Sequence, residues 1–156
     1  MRTENYIANQ ADRLRAGETA RGKCASVWGR GDTVYSYGHH YPLLTRVQRP
    51  DGTTIIVCNT AGYSATTGRH ISYARRHADV CVPLASRRGA SPTRPVSYQD
   101  VVDAAERELA RCVDNLQAKK RTDTKVYRAL QREHERAYQA LQALLVPSNL
   151  MIEYVS

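Results

Sequence analysis

The first apolar positions of the chain repeat at helical spacing. They would share one face of a helix over residues 3–16, for which Gly17 is a suitable C-terminal stop. The residues with this spacing are Tyr6, Ile7, Ala11 and Leu14. A second helix is predicted to begin at the loop formed by residues 64–67, whose hydroxyl groups can accept the free N–H groups of a first turn. It would run to about residue 78.

Between these helices, extended segments alternate with turn residues. The predicted strands cover residues 24–28, 33–47 and 53–59, with a turn at 29–32 and a hairpin turn at 50–52. The long middle strand would bend at Gly38 or Pro42. The last strand is apolar on both faces, which is typical of a central strand. These segments predict a small antiparallel β-meander of about three strands with short flanking helices.

The C-terminal third is predicted to be helical. Residues 97–146 contain neither Gly nor Pro, and two apolar series at helical spacing are separated by the polar segment 119–124. The break favours an antiparallel helical hairpin, although one helix of about 49 residues also fits the pattern. Ser97 and Asp100 resemble a capping box at the start.

The fold class is therefore α+β, in four segments. A basic α+β module spans 1–82, and a linker rich in Pro, Ser and Arg spans 83–96. The helical hairpin spans 97–146 and a tail spans 147–156.

Charge is unevenly distributed along this chain of 156 residues, whose net charge is +8. Residues 1–96 hold 14 Lys and Arg against 6 Asp and Glu, whereas residues 97–156 hold 9 of each. A localised basic surface attracts polyanions, of which nucleic acid is the commonest in a cell. The alternative is a solvated surface that keeps the protein in solution.

No long apolar run predicts a membrane span, and the N-terminus lacks the apolar core of a signal peptide. We therefore expect a protein of the cytoplasm with no membrane partner. The 4 cysteines form no C-x-x-C pair and are expected to be free thiols. No motif indicates a cofactor or a metal ion, so none is expected, and no catalytic residue stands out.

A tyrosine-rich segment is the first candidate site. In one strand, Tyr35, Tyr37, His39 and Tyr41 would form a single row. Aromatic rows on a sheet can stack bases while nearby cations hold phosphates. The alternative is core packing, because the chain has no Phe and Tyr must supply much of the aromatic volume.

The second candidate is the hydroxyl-rich motif at residues 63–70. A helix N-terminus with exposed N–H groups suits a phosphate, although the hydroxyls also suit a purely structural cap. The motif contributes Tyr63, Ser64, Thr66, Thr67, Arg69 and His70. Arg75 and Arg76 extend a basic run in which 6 arginines face one aspartate between residues 69 and 94. Tyr35, Tyr37 and these eight residues form the predicted nucleic-acid or anion site.

The same stretch resembles a family of small bacteriophage and mobile-element proteins of no established activity. That family carries a Ser-Tyr strand, a strand ending in Asn, and a Tyr-Ser-x-Thr-Thr-x-x-His motif. The matching positions are Ser36, Tyr37, Asn59, Tyr63, Ser64, Thr66, Thr67 and His70. Gly68 departs from the pattern, since the family commonly has Ser there. The resemblance covers a quarter to a third of the chain and implies a mobile-element origin in a host cytoplasm.

Three classes of function follow from these patterns. The favoured one is a phage-type accessory or regulatory protein that binds nucleic acid through its basic surface and Tyr-rich strand. The alternative is a phage-encoded interaction module that binds or inhibits a host protein, or self-associates, through residues 97–146. The third is an enzyme that acts on a phosphate-bearing substrate, which we favour least.

Overall fold

The computed structural model describes residues 1–37, 41–62, 64–84, 95–119 and 124–145. The chain divides into two compact units, Met1–Val101 and Val102–Ser156. Most of the predicted linker and all of the predicted tail lie outside the described residues. So do three residues of the Tyr-rich segment and Tyr63.

The first unit is built on one mixed sheet with two helices. Its helices are α1 (Thr3–Arg15) and α2 (Ala65–Ala74), the latter continued by a 3-10 turn (Arg75–His77). Its strands are β1 (Ala20–Cys24), β2 (Val27–Gly31), β3 (Thr33–Ser36), β4 (Tyr41–Gln48), β5 (Thr54–Asn59) and β6 (Val80–Val82). The predicted α+β class is confirmed, but the sheet has six strands rather than about three.

Strand order in the sheet follows chain order. Each pair from β1 to β5 is antiparallel, whereas β6 runs parallel to β5. A parallel neighbour needs a crossover connection, and α2 with its 3-10 turn supplies it. The structure is therefore a five-stranded meander extended by one β-α-β unit.

Two predicted strands were wrong in their bounds. Residues 24–28 are not a strand, because the turn between β1 and β2 lies within them and Ala25 has a φ of 52°. Residues 33–47 form two strands rather than one, and β3 already ends at Ser36. The next residue, Tyr37, takes a φ of 58°, which lies outside the β region. The strand predicted at 53–59 and the helix at 3–16 are confirmed.

The core lies between the sheet and its two helices. Because side chains alternate across a strand, every second residue of β3 and β5 faces α1 and α2. A β-bulge after Val34 lets two successive leucines of β4 join this core. Its largest members are Tyr6, Ile7, Leu14, Val27, Val34, Tyr41, Leu43, Leu44, Ile56, Cys58 and Ile71.

Asp79, next to the short strand β6, makes hydrogen bonds that link it to the rest of the sheet. Its backbone N–H donates to the Ile56 carbonyl at 2.8 Å, and its carboxylate accepts from the Ile56 N–H at 2.8 Å. Arg15 of α1 also donates to this carboxylate, at 2.9 Å. One side chain thus holds the crossover end against both β5 and α1.

The C-terminal helical pair is confirmed as α3 (Tyr98–Ala118) and α4 (Thr124–Leu145). Arg111 of α3 contacts Glu133 of α4 at 3.5 Å, and both residues are similarly far from the connection, as in an antiparallel pair. The capping box is present, since Ser97 Oγ accepts from the Asp100 N–H at 3.1 Å and the Asp100 carboxylate accepts from the Ser97 N–H at 3.0 Å. Among the described residues, no helix is long and apolar enough to cross a membrane.

Candidate nucleic-acid interface

A row of side chains crosses the sheet on the face opposite α1 and α2. Strand register pairs Lys23 with Trp28, Trp28 with Tyr35, and Tyr35 with Pro42. Directly opposed residues in antiparallel strands share a face, so the four side chains form one line across β1, β2, β3 and β4. Lys23 is exposed and both aromatic rings are partly exposed.

Two arginines lie beside this row. Arg30 is two positions from Trp28 on β2 and therefore shares its face, and Arg21 is its register partner on β1. Both are exposed. Like charges directly opposed across a strand pair destabilise it, so a bound anion between them would relieve a repulsion. We call Arg21, Lys23, Trp28, Arg30 and Tyr35 the basic–aromatic face.

No acidic residue occurs in β1, β2 or β3. Ion pairs neutralise other arginines of this unit, joining Arg13 to Glu18, Arg15 to Asp79, Arg46 to Asp32 and Arg76 to Glu4. Within the described part of the chain, Arg21, Lys23 and Arg30 have no such partner. Among the described residues, the salt bridges therefore leave the positive charge of the basic–aromatic face without an acidic partner.

The ammonium group of Lys23 lies 4.3 Å from the centre of the Trp28 ring. An exposed cation–π contact of this kind contributes about 0.5–1 kcal/mol. Stacking of a base on an aromatic side chain contributes about 1–3 kcal/mol. A base stacked on the Trp28 ring would therefore contribute at least as much as the ammonium contact that it replaces.

Two residues of the hydroxyl-rich motif, Thr67 and His70, form a buried polar network with Ser36. Ser36 Oγ lies 2.8 Å from His70 Nδ1 and 3.3 Å from Thr67 Oγ1. Ser64 is the N-cap of α2, and its Oγ accepts from the Thr67 N–H at 3.1 Å. Ser36 and Thr67 are fully buried and His70 is 5% exposed. The network joins α2 to the end of β3.

The environment of His70 favours its neutral form. Burial, and then the positive charge of Arg69, lower the pKa of His70 below its ordinary value. A serine beside a histidine is also the pairing of a nucleophile with a general base. Here Ser36 has no exposed surface, so a substrate could not reach it. The arrangement suits a structural link better than a catalytic pair.

The predicted row of tyrosines is divided between two faces. Tyr35 lies in the basic–aromatic face, whereas Tyr41 is fully buried in the core on the side of α1 and α2. The Tyr41 hydroxyl donates to the carbonyls of Asn59 and Ala61, at 3.0 and 2.6 Å. Burial raises its pKa above the ordinary range. Tyr37 is 38% exposed at the turn that follows β3.

The other predicted site residues lie along α2 and its 3-10 turn. Thr66 is partly exposed and Arg69 is exposed. Arg75 and Arg76 are exposed on the 3-10 turn, where Arg76 lies 3.3 Å from Glu4. Tyr63 lies outside the described residues. None of the described residues among them belongs to the basic–aromatic face.

Sequence reasoning missed four of the five residues of this face. Arg21 and Lys23 precede the strand predicted at 24–28, and Arg30 lies in the predicted turn at 29–32. Trp28 ends that predicted strand but was assigned to no site. A signal was present, because Ala20, Gly22 and Cys24 alternate with the two cations. Gly22 concealed it, since a glycine adds no apolar side chain to the inner face.

Comparison with protein-family models, curated proteins and solved structures finds no match to this chain. Within the described residues, no group of three or more His, Cys, Asp or Glu could hold a metal ion.

Proposed function

We propose that this protein binds single-stranded nucleic acid through its basic–aromatic face, as an accessory or regulatory protein. The observation that carries the proposal is the cross-strand row of Lys23, Trp28 and Tyr35 beside the opposed pair Arg21 and Arg30. Aromatic rings on a sheet stack unpaired bases, and the neighbouring cations hold the phosphates between them.

A single strand fits this surface better than a duplex. The bases of a duplex already stack on one another, so their faces are not available to Trp28 and Tyr35. The face offers rings and cations and no acidic side chain, which suits binding with little dependence on sequence. The resemblance to mobile-element proteins is compatible with such a role and remains a prediction.

The chain contains 1 Trp, so intrinsic fluorescence reports directly on the proposed interface. Titration with oligothymidylate or oligouridylate should quench Trp28 as bases stack on its ring. A duplex of the same length should quench it less. Comparing the two oligomers shows whether DNA or RNA is preferred.

The variant for this test is Tyr35→Ala, which retains the tryptophan reporter. Loss of one stacking contact should weaken binding by about 1–3 kcal/mol, or roughly 5- to 150-fold. The matched control is Tyr127→Ala on α4, a partly exposed tyrosine of the other unit. Absence of quenching by either oligomer at low salt, with a folded protein by circular dichroism, would refute the proposal.

A second candidate function is protein interaction or self-association through the helical pair. Tyr138 and Leu145 of α4 are 46% and 53% exposed, and their spacing of one heptad puts them on one helix face. A contiguous apolar patch on such a face would mark a site of protein interaction. Light scattering after size exclusion tests self-association, which Tyr138→Ser with Leu145→Ser should abolish. A wild-type monomer at every concentration would leave a host protein as the remaining partner of this candidate.

A further inference from the structure

Two cysteines of the sheet lie side by side. Cys58 of β5 and Cys81 of β6 are register partners in the parallel strand pair. Neighbouring strands are about 4.8 Å apart, and a disulfide spans Cα separations of about 4.4–6.8 Å. Both thiols are free. Their expected Cα separation therefore lies within the range that a disulfide spans.

The two thiols differ in accessibility. Cys58 is fully buried in the core, whereas Cys81 is partly exposed at the edge of the same cluster. A reagent from solution can therefore reach Cys81 more readily than Cys58.

They also differ in acidity. The neighbouring Cys58 thiol lowers the pKa of Cys81 to about 7, with a contribution from the positive charge of Arg75. The neighbouring Cys81 thiol, together with burial, raises the pKa of Cys58. The thiolate is the reactive form of cysteine, so a substantial fraction of Cys81 is reactive near neutral pH.

We propose that Cys58 and Cys81 form a peroxide-sensitive modification site, in which Cys81 is oxidised first and Cys58 then closes an intramolecular disulfide. This site is separate from the basic–aromatic face and does not depend on the proposed function. The substrate class is a hydroperoxide, which supplies the oxidising equivalents.

The chemistry balances in two steps. The Cys81 thiolate attacks one peroxide oxygen, so an S–O bond forms, the O–O bond breaks, and the leaving oxygen takes a proton to become water or an alcohol. Cys81 is then a sulfenic acid. Cys58 sulfur attacks Cys81 sulfur, the S–S bond forms, and the S–O bond breaks as hydroxide leaves with the Cys58 proton as water. Two thiols and one hydroperoxide give one disulfide, one water, and a second water or an alcohol.

The bond should be reversible. In a parallel register pair the Cβ atoms are separated by about the strand spacing of 4.8 Å, somewhat more than the usual 3.5–4.5 Å of a disulfide. Departures of this kind make a disulfide easier to reduce. A dithiol reductant should therefore restore both thiols.

The first experiment measures alkylation of each cysteine in the full-length protein by mass spectrometry. Cys81 should react about three- to fivefold faster at neutral pH than an ordinary thiol, because its larger thiolate fraction outweighs its lower nucleophilicity. Its rate should rise with pH to a midpoint near 7. Cys24, the other partly exposed cysteine, is the internal control. If Cys81 reacts no faster than Cys24 across this pH range, the proposal is wrong.

The second experiment maps the product of hydrogen peroxide treatment. Trypsin separates Cys58 in the peptide 47–69 from Cys81 in the peptide 77–87, so a disulfide joins two identifiable peptides. Cys58→Ala should replace the disulfide by a sulfenic acid that dimedone traps at Cys81, and Cys81→Ser should abolish both products. Cys24→Ser should leave the cross-link unchanged. A cross-link that involves Cys24 or Cys112, or two thiols still free after oxidation of the folded wild-type protein, would overturn the proposal.

Discussion

Ser36 Oγ lies 2.8 Å from His70 Nδ1 although the two residues are 34 positions apart in the chain. The sequence shows a histidine near several hydroxyls, and local reasoning assigns those hydroxyls to a cap or a ligand. One of them does cap α2, because Ser64 accepts from the Thr67 N–H. The Thr67 hydroxyl accepts from the Ser64 hydroxyl and also lies 3.3 Å from Ser36 Oγ, so it joins the cap to the buried network. A partner on a distant strand cannot be found from local spacing, so this use of the motif was not predictable.

Replacing His70 by a residue that does not titrate tests how its burial in the polar network affects the pH dependence of stability. The folded state holds the pKa of His70 below its ordinary value, so the unfolded chain takes up this proton at a higher pH. The stability that His70 contributes is complete above about pH 6.5 and is lost as the pH falls through the lower pKa of the folded state. His70→Asn keeps a polar group near the Nδ1 position and does not titrate.

We therefore expect the melting temperature of the wild type to fall more steeply than that of His70→Asn as the pH decreases from about 8 to 5. His77→Asn, on the neighbouring 3-10 turn and outside the network, is the matched control substitution. If the melting temperatures of the wild type and His70→Asn fall equally with decreasing pH, burial does not lower the pKa of His70, and the prediction is wrong. Thermal melts followed by circular dichroism provide the measurement.

Tyr41 gives a second prediction for a single residue. Tyr41→Phe leaves the carbonyls of Asn59 and Ala61 without this donor at the end of β5, in a fully buried position. The free energy of unfolding should fall by about 1–3 kcal/mol in urea titration. Tyr127→Phe on α4 is the control, because Tyr127 is partly exposed. If Tyr41→Phe and Tyr127→Phe have the same free energy of unfolding, the Tyr41 hydroxyl does not stabilise the fold and only its ring does.

At the level of elements, the helices were more predictable than the strands. Helical periodicity in α1, α3 and α4 comes from many residues, so a few exceptions do not conceal it. β1 has five residues and outward-facing cations, and β6 has three residues, so neither gives a long alternating pattern. The pairing of β6 with β5 depends on the crossover through α2 and on the hydrogen bonds of Asp79. Neither can be recognised from a local sequence pattern.

Two glycines should respond in opposite directions to the same substitution. A Cβ on Gly29 of β2 would lie 2.6 Å from the Arg21 backbone nitrogen and 3.0 Å from both Gln10 Oε1 and the Tyr6 hydroxyl. These groups join α1 to β1, since Gln10 accepts from the Arg21 N–H and Tyr6 donates to the Arg21 carbonyl. Gly29→Ala should therefore lower stability by about 1–3 kcal/mol through overpacking.

Gly68 lies inside α2, and nothing lies within 4 Å of a Cβ placed there. Gly68→Ala should raise the free energy of unfolding by roughly 0.5–1 kcal/mol, because alanine loses less backbone entropy in a helix. Urea denaturation of both variants beside the wild type tests the pair. A stabilised Gly29→Ala protein would show that α1 can move away from β1 at no cost.

At the level of the whole molecule, the charge asymmetry was visible in the sequence but its location was not. The sequence places all of the net charge of +8 within residues 1–96. The basic run at residues 69–94 is evident in the sequence because its arginines are close together in the chain. In the fold, Arg76 is paired with Glu4, whereas cations on two separate strands meet in the basic–aromatic face. Strand register, rather than sequence proximity, concentrates the unpaired charge.

Salt dependence distinguishes these two surfaces. Each phosphate contact to a single strand contributes about 0.7 to the slope of log K against log salt concentration. Replacing Arg21 and Arg30 by alanine should reduce the slope by about 1.4 and weaken binding at low salt. Arg128→Ala with Arg132→Ala on α4 removes the same charge from exposed positions in the other unit and should leave the slope unchanged.

Arg69→Ala with Arg75→Ala tests the 3-10 turn and α2 in the same way. If only this last variant flattens the slope, the nucleic acid follows α2, and Trp28 should then show no quenching. Equal effects of all three variants would instead indicate attraction by net charge alone, without a defined binding face.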